Sequence, residues 1–257
     1  MKVVIFAGGL GTRLSEETHT IPKPMVKIGD MPIIWHIMKL YSYYGFNDFI
    51  ICAGYKSFEL KKFFSEMHLH DADVEINTNN GEISYLKKLK ENWTVTVCDT
   101  GLKNQTGGRL LKIKEYLNRN EDFFLTYGDG VSDVNIKLLL EEHRKSGKLA
   151  TVTTVKQPSR FGILKLNGKQ VKEFTEKPID DANRINAGFF VLNPTVIDRI
   201  SDYAMPFESE PLRDLAQNGE LNAFIHDGFW KPMDTLKDKI DLNNIWNHGD
   251  PQWKVWE

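Results

Sequence analysis

The chain predicts an α/β fold built on a mixed, mainly parallel sheet flanked by helices, with a small β-rich extension. Three observations carry this. Short runs of β-branched and aromatic residues alternate with longer stretches of helical period. A glycine-rich loop follows the first strand directly. One stretch, residues 68–108, lacks a clean helix and reads as a strand-rich insertion. The expected strands are Val3–Phe6, Phe49–Ala53, Val95–Cys98, Phe123–Tyr127, Ala150–Val155 and Phe189–Leu192. The expected helices are Ile33–Tyr44, Phe58–Met67, Leu110–Leu117, Ile136–Ser146, Pro211–Asn218 and Leu236–Trp246. Residues 160–178 read as a hairpin about Asn167-Gly168. With no linker or repeat in view, the chain is expected to form a single domain over residues 1–257.

Composition narrows the function. The chain has 257 residues, 41% hydrophobic and 26% charged, which is enough to bury a core without staples. Its 33 basic and 35 acidic residues give a net charge of −2, so no basic excess exists for nucleic acid backbones. Cys52 and Cys98 lie in strand-like runs and make no disulfide framework. The opening Met-Lys-Val-Val-Ile-Phe-Ala-Gly-Gly has too short an apolar run for a signal peptide, and no segment has transmembrane length. The expectation is a cytoplasmic protein acting on small molecules, with no nucleic acid and no membrane.

The loop Gly8-Gly9-Leu10-Gly11-Thr12-Arg13-Leu14 has the character of a phosphate cradle. Glycines let the backbone approach a ligand, and Arg13 adds a bidentate anion clamp. It is not a Walker motif, and Leu14 breaks the dinucleotide fingerprint. Lys23 follows, held between Pro22 and Pro24. Asp129 lies between Gly128 and Gly130 at the carboxyl end of an apolar strand, exposed to a ligand in the crevice, with a turn aspartate as the alternative on local sequence. Asp234 precedes the last helix and could cap it. His68, His70, Asp71 and Asp73 look like a zinc site only superficially, because no cysteine is close. The tryptophans Trp246, Trp253 and Trp256 read as packing groups.

Gly8-Gly9-x-Gly11-Thr12-Arg13-Leu14 followed by Pro22-Lys23-Pro24 resembles the signature of the sugar-1-phosphate nucleotidylyltransferases, and the resemblance extends over essentially the whole chain. It implies a Rossmann-like sheet of the nucleotide-diphospho-sugar transferase type. It implies catalytic roles for Arg13, Lys23 and Asp129, and a catalytic Mg²⁺ held by Asp129 and Asp234. Nucleotide contacts would come from Phe6, Ala7, Gly8, Gly9, Leu10, Gly11, Thr12, Arg13, Lys23 and Gly128. Glu176 and Lys177 match the family's Glu-Lys-Pro motif at the sugar phosphate, and Asn186 with Gly188 matches the segment lining the sugar pocket. Arg160-Phe161-Gly162 matches a further segment near the sugar.

Asn104, Gln105, Thr106, Gly107, Gly108 and Arg109 take the place of the family's base-reading loop. Thr-Gly-Gly-Arg resembles the cytidylyl branch, with Asn104 or Thr106 making the base contact and the glycine backbone exposed to the cytosine edge. The implied substrates are CTP and glucose 1-phosphate, giving CDP-glucose for surface sugars such as O-antigen. UTP, dTTP or another sugar 1-phosphate is the alternative. The resemblance also implies a homo-oligomer, with 68–108 as a plausible contact surface.

Overall fold

Val3–Ala7 (β1) is buried at every position, as an apolar strand covered on both faces should be. In the computed structural model, which describes residues 1–86, 91–158, 163–167, 169–175 and 179–257, β1 lies inside the main sheet. The other strands are β2 (Lys27–Ile28), β3 (Met31–Pro32), β4 (Asp48–Ala53), β5 (Val74–Asn77), β6 (Glu82–Tyr85) and β7 (Thr94–Asp99). They continue with β8 (Phe123–Tyr127), β9 (Gly130–Ser132), β10 (Ala150–Pro158), β11 (Ile163–Asn167) and β12 (Gln170–Thr175). The last are β13 (Ile179–Leu192), β14 (Leu221–Ile225) and β15 (Trp230–Pro232). The helices are α1 (Ser15–Thr18), α2 (Ile33–Tyr43), α3 (Ser57–Asp71), α4 (Thr106–Ile113), α5 (Ile136–Ser146), α6 (Glu210–Gln217) and α7 (Leu236–Asn247).

The main sheet runs β14-β10-β13-β8-β1-β4-β7 among the described residues. Pairs β8–β1, β1–β4, β4–β7 and β10–β14 are parallel, whereas β13 is antiparallel to both β8 and β10. The expected mixed, mainly parallel sheet is therefore present. Side chains alternate across β1. Val3 and Ile5 join the core under α2, and Val4 and Phe6 join the core under α4. Each large apolar side chain so buried contributes about 2 kcal/mol. Trp253 and Trp256 pack around His36 of α2 and fasten the C-terminal tail to the first core.

Two expectations change. Helix α4 starts at Thr106 rather than Leu110 and passes into a 3-10 turn, Lys114–Tyr116. Its glycines allow this: a Cβ on Gly107 would lie 2.6 Å from the Met205 carbonyl, and one on Gly108 2.0 Å from the Tyr203 carbonyl. Within 68–108, helix occupies both ends, and β7 is an edge strand of the main sheet. Only β5–β6 stands apart as a hairpin. The expected hairpin at 160–178 is visible as the antiparallel pair β11–β12; Gly168 lies outside the described residues.

Candidate active site

The turn after β1 depends on glycine. Gly11 has φ +67°, in the left-handed region, and a Cβ there would lie 2.7 Å from Thr18 Cγ2. Thr18 closes the turn by donating its hydroxyl to the Gly11 and Leu14 carbonyls, both at 3.0 Å. Gly9 and Leu10 are exposed, and nothing stands within 4 Å of where a Gly9 Cβ would be. This turn opens onto a cavity of about 210 Å³. Its lining comes from the end of β1 and the glycine turn (Phe6, Ala7, Gly8, Gly9, Gly11), from Lys23 and Pro24, from Asn104, Gln105, Thr106 and Arg109, and from Tyr127, Gly128 and Asp129. Leu10, Thr12, Arg13 and Gly107 are not part of that lining.

Two carboxylates distant in sequence meet here because two short strands pair. β9 follows Asp129, β15 precedes Asp234, and Gly130 faces Pro232 in their antiparallel ladder. Met233 N–H donates to the Asp129 carbonyl at 2.7 Å, tightening the junction. Lys23 Nζ lies 2.7 Å from Asp129 Oδ2 and 2.7 Å from Asp234 Oδ1. Arg13 reaches Asp234 Oδ2 at 3.0 Å. Burial alone would lower the Lys23 ammonium; the two carboxylates outweigh it and hold its pKa above the usual value. Asp234 does not cap α7. That place belongs to Thr235, whose hydroxyl forms a capping box with Asp238.

Arg109 does a different job. Its guanidinium is buried and donates to the carbonyls of Gly8 (2.9 Å), Ala53 (3.2 Å) and Gly101 (3.0 Å), and to the Thr100 hydroxyl (2.6 Å). It therefore ties together the C-terminal ends of β1, β4 and β7. Gly8 has no room for a side chain, because a Cβ would lie 1.9 Å from the guanidinium. Burial lowers the Arg109 pKa, partly offset by Cys52 and Asp99. An arginine nevertheless stays charged.

The expected exposure of the glycine backbone to a base is corrected. Gly107 N–H is already bonded to the Met205 carbonyl, and Gly107 and Gly108 are buried against the 203–207 segment. Asn104 donates its amide to the Thr100 carbonyl at 2.6 Å, and Thr106 donates its hydroxyl to Glu208 at 2.5 Å. On β13, Asn186 is exposed and accepts Gly188 N–H at 2.7 Å. Gly188, at φ +81°, leaves space that the Tyr127 ring fills. Glu176 and Lys177, with Pro178, lie outside the described residues, as do Arg160, Phe161 and Gly162. The side chains of His68, His70 and Asp71 are likewise outside the description. Glu208 was not anticipated. It lies on an irregular segment with no motif around it, and only the fold carries it to Thr106 and Tyr127.

The donor set suits a hard divalent cation. Two carboxylates, Asp129 and Asp234, converge on Lys23, with Arg13 also on Asp234, and no cluster of three or more His, Cys, Asp or Glu that could hold a metal exists among the described residues. Two protein oxygens completed by phosphate oxygens and water is the usual arrangement for Mg²⁺.

Doubly wound topology, a glycine turn at the sheet's switch point and this charge cluster define a nucleotide-handling transferase. The family model described as nucleotidyl transferase matches residues 2–247, and the chain belongs to that family. A glucose-1-phosphate cytidylyltransferase of Salmonella typhimurium is 52% identical over 257 residues, 100% of both chains. A probable glucose-1-phosphate cytidylyltransferase of Bacillus subtilis is 44% identical over the same full length. A mannose-1-phosphate guanyltransferase of Aspergillus oryzae is 32% identical over 248 residues, 93% of this chain and 62% of the relative. The crystal structure of HddC from Yersinia pseudotuberculosis matches with a TM-score of 0.69 at 22% identity, over 95% of this chain and 99% of that one, which shows the fold. No helix among the described residues is long and apolar enough to cross a membrane.

Proposed function

We propose that this protein is a glucose-1-phosphate cytidylyltransferase, converting CTP and glucose 1-phosphate to CDP-glucose and pyrophosphate. The observation that carries the chemistry is the convergence of Lys23, Asp129 and Asp234 beside a glycine turn. The full-length relatives at 52% and 44% identity support the choice of substrates.

The sugar phosphate oxygen is already anionic and needs no protein nucleophile. It forms a bond to the α-phosphorus of CTP while the bond to the β-phosphate oxygen breaks, and that electron pair leaves with pyrophosphate. Mg²⁺ held by Asp129 and Asp234 would neutralise phosphate oxygens and orient the attack. Lys23 supplies a positive charge at the reacting phosphate, and Arg13 does so toward the departing pyrophosphate. Arg109 keeps the glycine turn and the 100–101 segment at the spacing the nucleotide requires.

The reading includes assembly of identical chains. The hairpin β5–β6 exposes Ile76, Ile83 and Tyr85, and an isolated two-stranded hairpin gains stability when another surface covers it. Analytical ultracentrifugation should show more than a monomer. The reaction is tested by pyrophosphate release with Mg²⁺, glucose 1-phosphate and each of CTP, UTP, dTTP, ATP and GTP. CTP should give the highest kcat/KM; a higher value with another nucleotide would reject the substrate assignment.

A further inference from the structure

The two aspartates of the site face cations that belong to the chain itself. Lys23 Nζ bridges them, 2.7 Å from Asp129 Oδ2 and 2.7 Å from Asp234 Oδ1. The other oxygen of Asp234, Oδ2, accepts from Arg13 Nη1 at 3.0 Å. Both Asp234 oxygens therefore face a positive charge. A divalent cation that joins the two aspartates needs an oxygen from each. Whichever Asp234 oxygen it takes, it meets Lys23 or Arg13 there.

The two side chains are held differently. Lys23 stands on a stiff base: Pro22 and Pro24 flank it, Pro24 is buried, and Val26 N–H closes the short 3-10 turn on the Lys23 carbonyl at 3.0 Å. Above that base its four-carbon stem is flexible, and the residue lines the cavity beside the glycine turn. Its ammonium can turn from the carboxylates to phosphate oxygens with the backbone in place. Arg13 is exposed and holds Asp234 by a single contact, which costs little to give up.

Charge counting gives the consequence. Two carboxylates with two cations make a locally neutral cluster, so a free divalent cation gains no net attraction and is repelled by the ammonium it must replace. A nucleotide changes both conditions. Its phosphate oxygens accept Lys23 and Arg13, and the carboxylates pass to the cation that accompanies those phosphates. Every charge keeps a partner through this exchange, which matters because an unpaired charge in a partly buried place is costly.

We infer that Lys23 competes with the divalent cation for the Asp129–Asp234 pair, so that metal is taken up together with the nucleotide phosphates rather than ahead of them. This rests on the metal-assisted transfer proposed above. The first test uses Mn²⁺ as the probe, with its free form counted by electron paramagnetic resonance, on the full chain without nucleotide. Lys23→Met and Lys23→Gln should each bind Mn²⁺ about 10-fold or more tighter than the wild type, since one neighbouring charge shifts the proton affinity of a carboxylate by about 10- to 1,000-fold. Lys23→Arg keeps the charge and should stay close to the wild type. Arg13→Gln removes one exposed contact and should gain only about two- to three-fold. Adding Asp129→Asn to Lys23→Met should abolish the gain, which locates the ion on the pair. Mn²⁺ should also raise the thermal midpoint of Lys23→Met more than that of the wild type.

A second test titrates the preformed complex of Mn²⁺ with CTP by calorimetry. The gain that Lys23→Met shows with Mn²⁺ alone should be absent here, because the variant has no ammonium for the phosphates to take up. An equal gain with the complex would contradict the handover to phosphate. Unchanged or weaker Mn²⁺ binding in both Lys23→Met and Lys23→Gln, or a gain that survives Asp129→Asn, would overturn the competition itself. A residue that only keeps the site in shape would weaken Mn²⁺ binding when removed. If the wild type binds no Mn²⁺–CTP at all, the nucleotide assignment fails, and the Mn²⁺ titration, which contains no nucleotide, still decides the competition.

Discussion

Arg109 and Lys23 are two cations at one cavity, yet they have opposite kinds of partner. Arg109 is 5% exposed and touches carbonyl oxygens and one hydroxyl. Lys23 has a side chain 12% exposed and touches two carboxylates. A guanidinium among neutral acceptors fixes the backbone that surrounds it, and its removal leaves buried carbonyls without donors. An ammonium between carboxylates is electrically balanced, and its partners are the groups a metal ion and phosphates would engage. The difference teaches that position in a cavity does not define a cation's task; the chemistry of its acceptors does. Arg109 shapes the site, and Lys23 handles charge.

The largest expected effect attacks the charge side of that contrast. Asp129→Asn should lower kcat by about 10²- to 10³-fold, the scale for removing one preorganised electrostatic group, while the thermal midpoint stays nearly unchanged. Steady-state kinetics and calorimetry on the same preparation check both halves.

The next breaks the shaping side. Gly8→Ala puts a Cβ 1.9 Å from the Arg109 guanidinium and should cost about 3 kcal/mol in urea unfolding. Combined with Arg109→Ala, the cost should be clearly less than the sum, because the clash disappears with the guanidinium. Additive costs would contradict the strut.

A control lies away from both cations. Burial among tryptophans pushes the His36 pKa down to about 4, while hydrogen bonds to Ile28 and Met31 oppose this. The unfolded ring takes up its proton near pH 6.5 and the folded one only near 4. The stability present above pH 6.5 should therefore fall by about 3 kcal/mol as the pH drops through that window. His143, also lowered by burial, acts in the same direction. His36→Gln should flatten the profile of unfolding free energy against pH without changing the contrast between Arg109 and Lys23.

The smallest effect concerns Arg13, whose side chain is 67% exposed beside Asp234. Arg13→Ala should cost about 10-fold in kcat/KM and leave stability unchanged, since an exposed pair contributes little to folding.

Much of the fold was legible because buried strands such as Phe123–Tyr127 announce themselves through continuous apolar residues. The glycine turn was legible because few other roles require that spacing after a strand. The pairing of Asp129 with Asp234 was reached only through family resemblance, and the contact of Lys23 with both, 106 and 211 residues away, was not anticipated. Local sequence cannot show it, since the β9–β15 ladder makes it. Arg109 was legible as a cation near a base but not as a strut. The clue was the glycines Gly8 and Gly54 just past two strand ends, whose missing side chains leave room for the guanidinium. Gly107 and Gly108 read as loop because glycine weakens a helix. Packing against the 203–207 backbone reverses that preference. Glu208 left no signal, because its partners come from α4 and β8.

The most direct measurement sets Arg109→Met beside Lys23→Met, reading urea unfolding and single-turnover CDP-glucose formation on each. Arg109→Met should lose about 2–4 kcal/mol of stability and raise the CTP requirement, with the rate at saturation falling far less. Lys23→Met leaves Asp129 and Asp234 side by side without the ammonium and should cost some stability, less than Arg109→Met because both carboxylates are partly exposed, but lose about 10²-fold or more in the saturated rate. If both variants lose stability and rate in the same proportion, the division between a shaping cation and a charge-handling cation is wrong.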